Sequence, residues 1–265
     1  MASERDYFLK AHNEFQQLHE WINRLFTAIG RENVEPRRAR ANLLFFRLGM
    51  VGNSLLTLCV SEMRHHESEP TNISVLDDSS IASLGRTLLE TCVMFMYISE
   101  PAVSEDEWLL REAVLELHGL KARHRMAKHC GLLEAEPVDL HEIMSTLEQT
   151  ILANPILQRL DAERQKKVLA GGELYINGRR GAIKEAGFDV EHFEGMYVFL
   201  SNHAHAGPVS FHHTGSTKMA SGVAPDFQYR TSGLALEYGM GALDLACQRM
   251  FHLYPAIFLT RKTKH

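Results

Sequence analysis

Two charged side chains interrupt an otherwise apolar stretch of the sequence. The window from Ile81 to Ile98 contains only Arg86 and Glu90 as charged residues. Their i, i+4 spacing places both on one stripe of a helix, which also carries Val93 and Tyr97. Because an isolated charge is costly to bury, we expect the two to pair with each other or with polar groups across the core. An internal structural ion pair and a polar site between helices both fit this pattern.

A second polar group lies near the end of a predicted helix over about 189–205. Ser201 and His205 are one turn apart, and Glu194 lies on the same stripe. A histidine that exchanges a proton near neutral pH suits general acid–base catalysis. We therefore predict that Ser201 and His205 are catalytic together with Arg86 and Glu90, and a histidine that only caps the helix is the structural alternative. The stripe that we expect to face the core consists of Phe193, Met196, Tyr197, Leu200 and Ala204.

Histidines are concentrated in the same part of the chain. Five of them lie within 22 residues: His192, His203, His205, His212 and His213. With Glu90 or Glu194 they could bind zinc, iron or manganese, because imidazole and carboxylate suit these metals. The metal-site alternative uses Glu90, His203, His205 and His212. The sequence contains no HExxH motif, so our first prediction has no metal and no cofactor.

Two basic segments could bind an anion. Arg179 and Arg180 lie in the glycine-rich segment 171–181, and we predict that they bind ligand together with Tyr97. A further cluster lies near the end of a predicted helix over about 104–130; its members are Lys121, Arg123, His124, Arg125, Lys128 and His129. A solvated helix end is the simpler interpretation of this cluster.

The elements that would position these residues are helical. Apolar residues recur with a 3.6-residue period through most of the chain, and the period of two that is typical of strands is not sustained. Helices are predicted over about 4–29, 37–66, 78–99, 104–130, 137–150, 155–170, 177–186, 189–205 and 229–256. A long Gly- and Pro-containing loop is predicted over 206–232.

We predict an all-α fold in which residues 1–265 form a single multi-helix bundle. Its parts would be N-terminal helices over 1–70, a motif-bearing core over 78–208 and a C-terminal packing helix over 229–256. The central helix at 78–99 is expected to pack against the helices at 37–66, 189–205 and 229–256.

Composition limits the class of protein. The 265 residues include 28 Lys and Arg, 33 Asp and Glu and 45% hydrophobic residues, for a net charge of −5. This excludes a disordered chain and argues against a surface built wholly for nucleic acid. The four cysteines form no CxxC pair, as expected for reduced thiols. The N-terminus lacks the apolar region of a signal peptide, and the longest uncharged helical run, 48–61, is shorter than the roughly 20 residues of a span. We predict a soluble, cytoplasmic protein without a membrane partner.

Three segments resemble, in order and spacing, a bacterial family of all-helical proteins without assigned function. They are R-T-L-L-E at 86–90, N-G-R-R-G-A-I-K-E-A-G at 177–187 and Y-V-F-L-S-N-H-A-H at 197–205. The family pattern is Arg-x-x-x-Glu, then aromatic-x-Gly-x-x-Arg, then Ser-x-x-x-His. The resemblance implies that the family's polar positions here are Arg86, Glu90, Arg180, Ser201 and His205. It implies no particular reaction.

A weaker resemblance concerns Arg123-x5-His129, which fits the Arg-x4–6-His pattern of HEPN-type ribonucleases. In those enzymes a helix-borne arginine and histidine, paired across a dimer, cleave RNA without a metal. The resemblance implies RNA as a partner, a homodimer and a role in bacterial defence.

Three functional hypotheses follow. In the first, a polar pocket covered by the loop at 206–232 acts on a phosphate-containing ligand such as RNA. His205 would then move protons, Arg86 and Arg180 would bind the anion, and Glu90 would orient a partner. In the second, the same residues form a structural network in a binding or scaffold bundle. In the third, Glu90 and the histidines between His192 and His213 hold the metal of a hydrolase.

Overall fold

The architecture comes from a computed structural model, which describes residues 3–30, 34–68, 76–131, 140–205, 208 and 226–256, with the backbone alone for 60–68. Within these ranges the chain forms nine α-helices and one short 3-10 helix, and no β-strand. The predicted all-α fold class is confirmed. In chain order the elements are α1 (Glu4–Ile29), α2 (Pro36–Ser68), α3 (Asp78–Ile98), α4 (Glu105–His129), α5 (Leu140–Ala153), the 3-10 helix (Leu157–Arg159), α6 (Ala162–Leu169), α7 (Gly178–Glu185), α8 (Val190–Ala204) and α9 (Asp226–Leu253).

Side-chain caps explain where several helices begin. Asp77, Ser104 and Asp189 precede α3, α4 and α8, and each side chain accepts a hydrogen bond from a backbone N–H in the first turn. Such caps satisfy donors that have no partner inside the helix. The chain reverses before α8 at Gly187, whose φ of 92° favours glycine. The predicted starts of these three helices, at about 78, 104 and 189, lie within one residue of the observed starts.

The prediction of one helix over 155–170 is wrong. The chain forms the 3-10 helix, leaves helical geometry at Leu160 and starts again as α6. The Asp161 side chain accepts from the N–H of Arg164 at 2.8 Å, which gives α6 its own N-cap. This cap requires an extended backbone at Asp161, so a continuous helix cannot pass through it.

The predicted loop over 206–232 is too long at its C-terminal end, because α9 already begins at Asp226. The first turns of α9 bury polar residues, namely Gln228, Thr231 and Ser232, and this conceals the apolar period on which the prediction relied. Residues 206–207 and 209–225 lie outside the described residues. The prediction that they form a loop over the site therefore stays a prediction.

The chain divides into two compact units. One consists of Met1–Ser99 and Phe188–His265, and the other of Glu100–Gly187. The first unit therefore contains α1, α2, α3, α8 and α9, and the second contains α4 to α7. Because a compact unit need not fold separately, the prediction of a single domain stays a prediction.

Helix α3 is the centre of the first unit. It packs against α2, α8 and α9, as predicted, and most of its residues from Thr91 to Ile98 are buried. Its approach to α9 is close: a Cβ at Gly85 would lie 3.0 Å from the Cβ of Ala235. Helix α1 covers the other side of α9 with Phe8 and Phe15, which are fully buried.

Among the described residues, two helical stretches are long and apolar enough to cross a membrane, by length and composition alone. They are Pro36–Cys59 of α2 and the whole of α3. In α3, 67% of the apolar window is buried inside the fold, as in the core helix of a soluble protein; in α2 only 33% is buried. The soluble, cytoplasmic location stays a prediction.

A buried arginine organises the second unit. Arg111 of α4 is almost fully buried and donates to Glu107 one turn earlier and, at 2.6 Å, to Glu185 of α7. Two carboxylates around one guanidinium offset the cost of burying its charge. This network ties α7, which carries Arg179 and Arg180, to α4.

Candidate functional site

Arg86 and Glu90 form an ion pair on α3, with Arg86 Nη2 and Glu90 Oε1 3.4 Å apart. The expectation of a buried pair is wrong, because the two side chains remain 26% and 46% exposed. They lie on a side of α3 where Ser83 and Thr87 are also accessible. The charges are therefore hydrated, and the pair contributes little to stability.

Tyr197 of α8 completes one side of the site. Its hydroxyl donates to Glu90 Oε1 at 2.8 Å, and the Arg86 guanidinium lies over its ring, 4.8 Å from the ring centre. A cation over an aromatic face is attracted by the ring and held in orientation. The prediction that Tyr197 belongs to the core stripe is wrong, because this side chain contacts Arg86 and Glu90. Its spacing of four and eight residues from Ser201 and His205 was the signal that could have assigned it to the site.

His205 reaches the same arginine from the end of α8. Arg86 Nη1 donates to His205 Nε2 at 3.3 Å, although the two residues are 119 positions apart. A guanidinium can only donate, so Nε2 accepts in this geometry and the ring hydrogen lies on Nδ1. The residue itself is exposed. Its backbone N–H donates to Ser201 O at 3.1 Å, which ends α8.

Two polar atoms at the site have no hydrogen-bond partner among the residues that the structure describes. They are Ser201 Oγ and Arg86 Nε, and both are enclosed. Ser201 and His205 therefore meet through the backbone and not through a side-chain hydrogen bond. The structure brings together Arg86, Glu90, Tyr197, Ser201 and His205, and we call this group the α3–α8 site.

The other predicted ligand-binding residues are Arg179, Arg180 and Tyr97. Arg179 and Arg180 are exposed on α7 of the second unit. Tyr97 is fully buried near the end of α3, because that half of the helix enters the core. On the stripe that Arg86 and Tyr97 share, Arg86 is therefore accessible to solvent and Tyr97 is buried.

Of the residues in the metal-site alternative, Glu90 and His205 both contact Arg86 at the α3–α8 site. His203 is buried, and its Nδ1 donates to Phe199 O at 2.9 Å. His192 pairs instead with Tyr238, whose hydroxyl lies 2.7 Å from the imidazole Nε2. In the part of the chain that the structure describes, no three His, Cys, Asp or Glu residues group as metal ligands would. His212 and His213 lie outside that part.

A buried acid that the sequence analysis missed lies at the start of α3. Asp78 is nearly enclosed, and burial raises the pKa of its carboxyl, while His203 and a hydrogen bond from Gln228 lower it. A polar junction thus joins the beginning of α3, the end of α8 and the beginning of α9. In the sequence, Asp78 is one of four consecutive polar residues over 77–80, so no sequence signal distinguished it.

The arginine and histidine of the HEPN-like pattern both lie exposed at the end of α4. A spacing of six residues turns Arg123 and His129 roughly 120° apart on one helix. Arg125 and His129, at i, i+4, share a face instead. All three belong to the second unit, whereas the α3–α8 site belongs to the first.

Comparison of the chain with protein-family models, with curated proteins and with solved structures found no match. Both sequence resemblances therefore stay expectations. The functional argument rests on the geometry of the α3–α8 site.

Proposed function

We propose that the α3–α8 site binds a phosphate-containing ligand and that His205 exchanges a proton with it. One observation carries the proposal: a guanidinium and an imidazole from distant helices lie 3.3 Å apart at an accessible position. Arginine is the side chain best suited to hold a phosphate oxygen, and histidine is the commonest group that moves protons near neutral pH.

The neighbours of Arg86 support a binding role. Glu90 holds one of its terminal nitrogens, and the Tyr197 ring holds the plane of the guanidinium. A group that is already oriented loses less entropy when a ligand binds. Among the described residues, the second terminal nitrogen, Nη1, contacts the His205 ring at 3.3 Å, a long hydrogen bond that an anion can replace.

Charge favours an anion between the two residues. When the His205 ring gains a proton, both partners of the contact become cations and repel each other. A phosphate oxygen placed between them would bind both, so binding should be coupled to proton uptake. We assign no ligand contact to Ser201, whose hydroxyl oxygen is enclosed.

Single-stranded RNA is the phosphate-containing ligand that the HEPN resemblance implies. Its phosphodiesters keep one negative charge across the pH range in which histidines titrate, so proton uptake on binding would come from the protein. Inorganic sulfate also keeps its charge in this range. The two probes together separate recognition of the anion from recognition of the nucleic acid.

The test is isothermal titration of the full chain with sulfate and with a short oligo(U) RNA, in buffers of different ionisation enthalpy. We expect Arg86→Ala to weaken binding about tenfold or more, because it removes a charge-assisted hydrogen bond. His205→Asn should abolish the proton uptake. The matched control is His252→Ala, which removes an exposed histidine from the last turn of α9.

A structural network is the alternative that a specific observation favours, since Glu90 accepts from both Arg86 and Tyr197. Because the ion pair is hydrated, we expect Arg86→Ala to lower the free energy of unfolding by only about 0.5–1 kcal/mol. A loss of several kcal/mol, together with no binding of either probe by the wild-type chain, would show that the network is structural.

A further inference from the structure

Helix α2 exposes a ridge of large apolar side chains. Leu43, Phe46 and Met50 are 63%, 54% and 57% exposed, and their spacing places them on one face of the helix. The same helix buries Phe45 and Leu48 on its other side. Three such residues within eight positions form a continuous patch, which is a mark of an interaction surface.

Two hollows flank this ridge along the groove between α1 and α2. The larger has a volume of about 650 Å³, and the described residues that line it are uncharged, among them Phe26, Ile29, Val34 and Leu43. The smaller, about 280 Å³, lies on the other side of Phe46. We call the ridge and its hollows the α2 face.

Arginines border the α2 face, and the helix carries no acid before Glu62. Between Pro36 and Ser61 the sequence contains four arginines and no Asp, Glu or Lys; they are Arg37, Arg38, Arg40 and Arg47. Among the described residues nearby, Glu35 pairs with Arg38 and Glu20 of α1 is exposed, while Arg37 and Arg40 have further interactions within the chain. Arg24 and Arg47 are exposed on the neighbouring surfaces of α1 and α2.

The end of α9 adds further positive charge in sequence. Tyr254, just after α9, donates to Asn42 of α2 at 2.9 Å, and Arg38 lies over its ring. The chain thus leaves the described fold beside the larger hollow. The nine residues that follow in the sequence, IFLTRKTKH, are apolar and then basic, and they contain no acid.

We propose that the α2 face docks on the surface of an anionic lipid bilayer. Leu43, Phe46 and Met50 would enter the boundary between headgroups and acyl chains, and the arginines would meet the anionic headgroups. A helix with an apolar face bordered by arginine is the typical interfacial element. Burial of the apolar ridge and attraction of the cations then act together.

A second copy of the chain fits the same face less well. Consider a symmetric dimer in which α2 of one copy packs antiparallel to α2 of the other. The two-fold axis then places the same flank of both helices on one side of the contact. Arg47 is exposed on one flank of the ridge, so the Arg47 side chains of the two copies would lie on the same side of the contact, where their like charges repel. An anionic surface removes this repulsion. The proposal replaces our expectation of no membrane partner and does not depend on the α3–α8 site.

The experiment is flotation of the full chain with vesicles of phosphatidylcholine alone or mixed with phosphatidylglycerol. We expect binding only to the mixed vesicles, and weaker binding at high salt. Phe46→Ser should lower vesicle affinity about tenfold, and Arg47→Ala about fivefold. Circular dichroism should be unchanged in both, because these side chains are exposed.

Matched controls separate the face from general surface effects. Val198→Ser removes an equally exposed apolar side chain from α8, which is 56% exposed, and Lys10→Ala removes an exposed cation from α1. Both should bind vesicles like the wild type.

Four outcomes would overturn the proposal. The first is no binding to mixed vesicles, and the second is binding that Phe46→Ser leaves intact while deletion of residues 257–265 abolishes it. The third is a dimer that Phe46→Ser converts to a monomer, which would assign the face to a second copy. The fourth is an oligo(U) complex that Phe46→Ser abolishes in the absence of vesicle binding.

Discussion

At the scale of single residues, His12 gives the clearest pH dependence. It is buried on α1, and neither ring nitrogen has a hydrogen-bond partner among the described residues. Burial lowers the pKa of its imidazole. In the unfolded chain a histidine titrates near pH 6.5. Below about pH 6.5 the unfolded state therefore binds more protons, and the free energy of unfolding should fall as the pH drops towards the lowered pKa.

His12→Phe tests this account by chemical denaturation at pH 7.5 and at pH 5.5. We expect a gain of about 1–3 kcal/mol at pH 7.5, because an unsatisfied polar group leaves the core, and a larger gain at pH 5.5. His252→Phe, at an exposed position, should leave the pH dependence as it is. The same pH dependence in wild type and His12→Phe would show that another group causes it.

Residue patterns located the α3–α8 site only in part. Arg86 and Glu90 stood out because they were the only charges in an apolar window, and His205 because it ended a helix one turn after a serine. Tyr197 did not, since an aromatic residue at a helical spacing fits a core equally well. The exposure of the ion pair depends on how far α8 covers α3, and the period of a single helix does not contain this information.

At the scale of elements, the crossing of α3 and α9 depends on a glycine. A Cβ at Gly85 would lie 3.0 Å from Ala235 Cβ and 3.3 Å from its backbone oxygen. Gly85→Ala should therefore lower the free energy of unfolding by about 1–3 kcal/mol, despite the better helix propensity of alanine. Gly195→Ala on α8 has open space around its Cβ and should stabilise by about 0.5–1 kcal/mol. Equal gains for both, measured by thermal unfolding, would refute the close packing.

The sequence predicted helix positions correctly where the apolar period begins next to a capping residue. Examples are α3, which Asp77 caps, and α8, which Asp189 caps. Helix positions did not follow from the sequence where the signals disagree. At Asp161 a cap interrupts a weakly patterned segment, and at the start of α9 buried polar residues interrupt the period. In both places tertiary contacts and caps determine the boundary, and local hydropathy does not report them.

At the scale of the whole chain, the first unit is built from segments that are far apart in sequence. Tyr7 of α1 hydrogen-bonds Glu237 of α9 across 230 positions, and Cys92 of α3 reaches the Ala242 carbonyl of α9. Each helix has an apolar stripe, but the stripe does not indicate which other helix packs against it. The sequence therefore predicted the helices well and the neighbours of α3 correctly, but not that α1 covers α9.

This arrangement predicts how the chain responds to cutting. A fragment of residues 1–99 retains α1, α2 and α3 but loses α8 and α9, which cover two sides of α3 and one side of α1. Fully buried residues such as Leu88 would face water, so we expect the fragment to lack a cooperative thermal transition. A separate fragment of residues 188–265, mixed with the first, should restore helical circular dichroism and the transition. Cooperative unfolding of residues 1–99 alone would mean that α1, α2 and α3 form a sufficient core without the C-terminal helices.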